Sequence, residues 1–179
     1  MSGIRRSGFA ILIIDDLNGS NKKMARKNEH VQWKYDDKAM ELGVKFYRQS
    51  EIPLDLLYHL MRSHRLNSFS AILLHSDRVN FGEFLNKHKR KTDLLYELDG
   101  QENIYALFCQ ETQVDGGFYF IKRLQTLMEN EGADDITAAI VGVESTVYPV
   151  KDLMFIILDT FIRARSKEEP ESVIFKTVK

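Results

Sequence analysis

The sequence predicts an α/β domain in which a central mixed sheet of about five strands is flanked by helices and preceded by an N-terminal strand-helix extension. Three observations predict it. Short β-branched apolar runs alternate with longer segments whose apolar residues recur at helical spacing. Two of the apolar runs close on Asp99-Gly100-Gln101-Glu102, which is turn chemistry between antiparallel strands. A chain of 179 residues, 44% hydrophobic and 28% charged, suits one good core and an extension better than two cores.

Taken in order, Phe9-Ala10-Ile11-Leu12-Ile13-Ile14 is short and apolar and is closed by Asp15-Asp16-Leu17-Asn18-Gly19, so it reads as a buried strand entering a turn. From Asn18 to Asp37 the chain holds Lys22, Lys23, Arg26 and Lys27 with only Trp33 and Tyr35 as large anchors, the pattern of a loop. Asp36 or Asp37 caps a helix through about Tyr47, and Ser50 with Pro53 marks the start of a second, because proline is tolerated in a first turn. In that second helix Leu54, Leu57, Tyr58 and Met61 line one face, with Asp55, His59 and Arg62 turned away. The expected division is an extension over 1–50 and a domain over 51–179.

Phe69 to Leu74 reads as a strand, about Gly82 to Lys89 as a short helix, and Leu94–Leu98 with Ile104–Cys109 as a hairpin. Phe120, Ile121, Leu124, Leu127 and Met128 mark a helix face, Ile136 to Val143 a buried strand, Leu153 to Ile162 a helix and Val173 to Phe175 a closing strand. The order from Phe69 is thus β-α-β-β-α-β-α-β, which makes a helix-covered sheet with the hairpin inside it. The helix beginning near Val150 is apolar on every side. A core face of Leu153, Ile156, Ile157 and Phe161 leaves Met154, Phe155, Leu158 and Ile162 outward, and a partner protein or second copy is the expected cover, ahead of the chain's own N-terminal elements.

Charge excludes several function classes. Twenty-five basic against 26 acidic side chains leave a net charge of -1, so no global field draws nucleic acid or anionic lipid, and any anion site is local. The run from Phe9 to Ile14 is too short for a signal or membrane segment, and the chain is expected to be cytoplasmic. Cys109 is the single cysteine, expected as a small buried hydrophobe, and His59, His64, His75 and His88 lack metal-ligand spacing. Neither a metal nor a cofactor is expected. Asp15-Asp16 has the look of a phosphoreceiver start, but the strand and helix rhythm of that fold does not follow.

The segment Arg90-Lys91-Thr92-Asp93, five residues before Asp99-Gly100-Gln101-Glu102-Asn103, resembles the central signature of GGDEF (diguanylate cyclase-like) domains. In that family an Arg-x-x-Asp pair precedes the hairpin motif Gly-Gly-(Asp/Glu)-Glu-Phe at this spacing. Phe108-Cys109-Gln110-Glu111-Thr112 is similar to the family's strand end, Ile136 to Val143 to its later strand, and Ile162-Arg163-Ala164-Arg165 to the end of its last helix. The resemblance spans about Asp55 to Thr177 and implies a GGDEF/palm-like sheet.

The departures from the family pattern imply a degenerate member, not an enzyme. Family enzymes hold divalent metal on a triphosphate with acidic side chains from the first strand and the hairpin, since such ions need hard oxygen ligands. If Phe69 to Asp77 holds the first strand, His75 stands where the aspartate should be and Asp77 lies two residues on. At the hairpin the acid position falls on Gln101 or, by a second alignment, on Asn103; both are amides. Gly82-Glu83-Phe84-Leu85 keeps only part of the family's nucleotide-contacting helix. Phe9 to Asp15 also resembles a first strand and retains one aspartate, Asp15, so an active cyclase or polymerase using it stands as the alternative, beside an unrelated α/β interaction protein. For ligand binding the resemblance points to Arg90 and Asp93 as a cyclic di-GMP site, with Arg123 completing it. A solvated Arg-Asp pair and an exposed Arg123 are the plainer readings. Lys87 to Lys91 reads as a solvated basic helix end. The function implied is a bacterial signalling module that binds cyclic di-GMP, a protein partner, or both.

Overall fold

The computed structural model describes residues 37–132, 136–166 and 173–179. The strand expected at Phe9–Ile14, Asp15 at its end and the basic loop beyond Asn18 lie outside the described residues. The elements are α1 (Asp37–Arg62), β1 (Phe69–His75), α2 (Phe81–His88), β2 (Leu94–Asp99), β3 (Ile104–Gln110), α3 (Val114–Asn130), β4 (Thr137–Val143), α4 (Val150–Arg165) and β5 (Val173–Val178).

The five strands form one sheet in the order β2-β3-β1-β4-β5. β1 lies at its centre, antiparallel to β3 with Ile72 opposite Leu107 and antiparallel to β4 with Ile72 opposite Ile140. β2 and β3 are the expected antiparallel hairpin, and β5 joins β4 in parallel. Alternate side chains of each strand go to opposite faces, and both faces are covered, which is why β1 is apolar throughout and not alternating. Phe69, Ala71 and Leu73 meet Phe108, Val141 and the α1 and α4 side chains in one core; Ile72 and Leu74 meet Leu107, Ile140 and the α2 and α3 side chains in the other.

Two expectations are corrected. The helices expected on either side of Ser50 are one 26-residue helix with Pro53 inside it, so position 50/51 lies within an element. Proline lacks the N–H that would reach the Gln49 carbonyl, and an interior proline costs about 3 kcal/mol. Leu42, Phe46, Leu54, Leu57 and Tyr58, all buried against the sheet and α4, supply packing on both sides of the break and offset it. The second correction concerns α4. Its surplus apolar face is covered by α1, not left to a partner: Met154 is buried, Leu158 is partly buried, and Gly43 of α1 comes so close to Leu158 that an added Cβ would sit 3.0 Å from Cδ2. Phe155 alone of the four stays well exposed, at 59%.

Candidate functional site

The hairpin end of the sheet brings His75, at the end of β1, beside the β2–β3 turn, since His75 pairs with Ile104. Asp99 shapes the turn: its Oδ1 accepts from the Gln101 and Glu102 N–H groups at 3.0 and 3.1 Å, and Asn103 takes a left-handed φ of 49°. Gln101 is exposed, and Asn103 Nδ2 donates to the Arg78 carbonyl at 3.2 Å. Arg78 is itself tied down, 2.5 Å from Glu131 and 4.3 Å above the Phe84 ring.

The carboxylates of this end point toward α1 and α4 and are matched by cations there. Lys45 Nζ donates to Asp99 at 2.7 Å and pairs with Glu41 at 2.9 Å, while Glu102 accepts from Lys38 at 2.8 Å and from Arg165 at 3.0 Å. These bonds hold Asp99 and Glu102 below the usual carboxylate range, with Lys45 the main cause for the first and Lys38 for the second, and raise Lys45 to about 12 through Asp99 first. Burial, then Arg165, lowers the His75 pKa. Lys38, Lys45, Asp99, Glu102 and Arg165 line a groove with a volume of about 840 Å³. Among the described residues no group of three or more His, Cys, Asp or Glu side chains is gathered as a metal ion would need.

At the opposite end of the sheet the three residues singled out from sequence, Arg90, Asp93 and Arg123, line one pocket of about 700 Å³ with Thr112, Gln113, Gly116, Tyr119 and Phe120. The loop from α2 into β2 folds as a closed turn: the Asp93 N–H donates to the Arg90 carbonyl at 3.1 Å, and Asp93 Oδ2 accepts from the Arg90 N–H at 2.9 Å. The carboxylate is therefore not the solvated partner of a surface pair. Asp93 is 3% exposed, and its Oδ1 is buried with no hydrogen-bond partner. A buried carboxylate oxygen in that state leaves desolvation uncompensated.

Arg90 lies over it, half-exposed, with Nε 3.4 Å from Asp93 Oδ2 and Nη2 donating to the Gln110 carbonyl at 3.2 Å and to Thr112 Oγ1. Arg123 is held from α3: its Nη2 donates to the His88 carbonyl at the C-terminal end of α2, at 2.9 Å, and its guanidinium sits 5.3 Å from the Phe120 ring centre. Lys89 in the basic run turns inward enough to donate to the Asp93 carbonyl at 3.1 Å. Cys109 lines the pocket floor, and its thiol is pushed up to about 12, chiefly by burial and then by the charge of Asp93. It is a protonated small hydrophobe, as expected from sequence.

Thr112, Tyr119 and the first turn of α3 were not singled out from sequence. The signal lies in the spacing of Gly116, Tyr119, Phe120 and Arg123, one helical face by the three-and-four rule. The buried face of the same helix, Gly117, Ile121, Leu124 and Met128, is what anchors that row over the pocket.

No family model matches the sequence, and no curated protein does. Solved structures do resemble the fold. The diguanylate cyclase SiaD of Pseudomonas aeruginosa, determined in complex with its activator SiaC, superposes with a TM-score of 0.51 at 14% identity, covering 72% of this chain and 57% of that one. The FimX GGDEF domain of the same organism gives a TM-score of 0.49 at 10% identity over 73% of this chain and 92% of that one. The chain spans little more than half of the SiaD chain. The SiaD likeness gives this chain a GGDEF-like α/β fold, with four helices and a five-stranded mixed sheet. No helix among the described residues is long and apolar enough to cross a membrane.

Proposed function

We propose that the chain is a non-catalytic, cytoplasmic GGDEF-like signalling module that receives cyclic di-GMP at the pocket of Arg90, Asp93 and Arg123. The observation that carries this reading is the buried Asp93 oxygen without a partner, in a pocket of ligand size that Arg90 and Arg123 also line. A guanine edge presents two adjacent N–H donors, which suit a carboxylate, and guanidinium groups suit phosphate and the faces of purine rings. Seating the ligand requires Arg90 to leave Thr112 and uncover Asp93, so binding exchanges intramolecular hydrogen bonds for charge-assisted ones. The absence of turnover is supported by the hairpin, where Gln101 or Asn103 stands at the acid position and Asp99 and Glu102 are engaged by Lys45, Lys38 and Arg165. Isothermal titration with cyclic di-GMP is the test: saturable heat supports the receptor reading, and none up to millimolar ligand ends it.

A second reading, docking of a protein partner or a second copy, rests on a different surface. Met40, Val44 and Tyr47 form an exposed stripe on α1 at helical spacing, and Phe155 is exposed on the neighbouring α4. SiaD, a structural neighbour, binds a protein activator. Sedimentation over a concentration series decides the self-association arm, in which a lone monomer throughout leaves only a foreign partner.

A further inference from the structure

Within the Arg90 pocket one side chain has no account in the reading above. Tyr119 lines the pocket and is 70% exposed, an unusual placement for a large ring in the second turn of a helix whose other aromatics are partly buried. Its position is set from both sides. Along the helix it stands three residues after Gly116, which approaches Thr112 so closely that an added Cβ would lie 2.9 Å from Thr112 Cγ2, and four residues before Arg123. The first turn of α3 is thereby drawn down onto the residue that holds the Arg90 guanidinium, and Tyr119 rises beside it. Laterally the ring meets Phe118 edge to face at 6.0 Å, and Phe118 meets Phe175 of β5 in the same manner at 5.8 Å. A chain of edge contacts running back to the sheet thus orients a ring whose faces are largely left to solvent. Aromatic rings placed in this way, next to guanidinium groups, are the means by which proteins stack nucleobases.

We propose that Tyr119 is the base-stacking platform of this pocket, taking one face of a purine whose hydrogen-bonding edge is turned toward Asp93 and whose phosphate lies between Arg90 and Arg123. This rests on the receptor reading and adds the residue that orients the base. Stacking needs the π-face and not the hydroxyl, so Tyr119→Phe keeps the function and Tyr119→Ala loses it. The hydroxyl is available to solvent and makes no hydrogen bond that a ring-only variant would forfeit among the bonds described for this pocket.

The experiment is titration of the parent, Tyr119→Phe and Tyr119→Ala proteins with cyclic di-GMP, read by calorimetry and by the proton spectrum of the bound ligand. Loss of one stacked base is expected to weaken binding roughly five- to a hundred-fold in Tyr119→Ala and to leave Tyr119→Phe within about two-fold of the parent. The purine H8 signal is expected to move upfield in the ring current of the parent and of Tyr119→Phe, and not in Tyr119→Ala. If the parent binds and Tyr119→Ala binds equally tightly with the same H8 shift, the stacking assignment is wrong while the receptor reading stands. If the parent gives neither heat nor shift, the receptor reading falls and this assignment with it. Should Tyr119→Ala lose its circular dichroism, the H8 shift in the parent and in Tyr119→Phe decides: an unshifted signal overturns the proposal.

Discussion

The two ends of the sheet use the same kinds of side chain in opposite ways. At the hairpin end, Lys45, Lys38 and Arg165 are each matched to Asp99 or Glu102, so charge is consumed within the protein. At the Arg90 end the carboxylate is buried with Oδ1 unmatched; the Arg90 guanidinium reaches its other oxygen at 3.4 Å, and the two arginines otherwise bond to backbone carbonyls and a threonine hydroxyl. A short ion pair satisfies both partners and asks for nothing more; an arginine resting on carbonyls beside a carboxylate with one oxygen unmatched can exchange those bonds for stronger, charge-assisted ones. Charge count therefore does not tell the two ends apart, and the state of the individual polar atoms does.

The largest expected effect tests the hairpin end. Incubation with GTP or ATP and magnesium or manganese should yield no cyclic dinucleotide above a no-protein control by chromatography, since metal charge and positioning supply most phosphoryl-transfer catalysis. Any product breaks the comparison at once and brings back a catalytic role for Asp15. Next comes the other end, where Arg90→Ala is expected to cost roughly 1.5–3 kcal/mol of cyclic di-GMP binding, about ten- to a hundred-fold in affinity. Equal affinity in the variant would place the ligand elsewhere.

The smallest effect sharpens the contrast. Glu102→Gln should leave cyclic di-GMP affinity unchanged and lower stability at neutral pH by about 1 kcal/mol at most, because the pairs are partly exposed and screened. Glu102 and Asp99 titrate below their ordinary values of 4.5 and 3.8 in the folded chain. The stability they add is present above those ordinary values and is lost as pH falls through the lowered ones. Thermal melts at pH 7 and pH 3 should accordingly show a smaller loss for Glu102→Gln than for the parent, and equal losses would mean that the ion pairs contribute nothing in solution.

Much of this was legible in the sequence. The alternation from Phe69 onward gives the sheet, because strands buried on both faces are apolar throughout and the helices between them carry one-sided stripes. Arg90 and Asp93 were singled out through the family resemblance, and a tight turn fixes their relation over three residues, so their proximity follows from local spacing. The start of α3 was harder to read: Gln113 precedes it without a side-chain capping bond, so the usual Ser, Thr or Asp signal is missing. Losing the first turn of α3 meant losing Tyr119. The continuity of α1 through Pro53 was hidden because the local cost of proline is visible in sequence, whereas the packing that outweighs it comes from α4, about a hundred residues away.

Cys109 has a consequence for how the pocket can be watched. It is the chain's single thiol, it is buried and lines the same pocket as Asp93, and with its pKa pushed up to about 12 it is protonated at neutral pH. Alkylating reagents need both access and thiolate, and both arrive only when the layer above the sheet lifts. Each opening long enough to react leaves a single added mass on a single residue. The chain therefore carries its own clock for opening of this pocket, and an occupant of the pocket would slow that clock without any label being introduced.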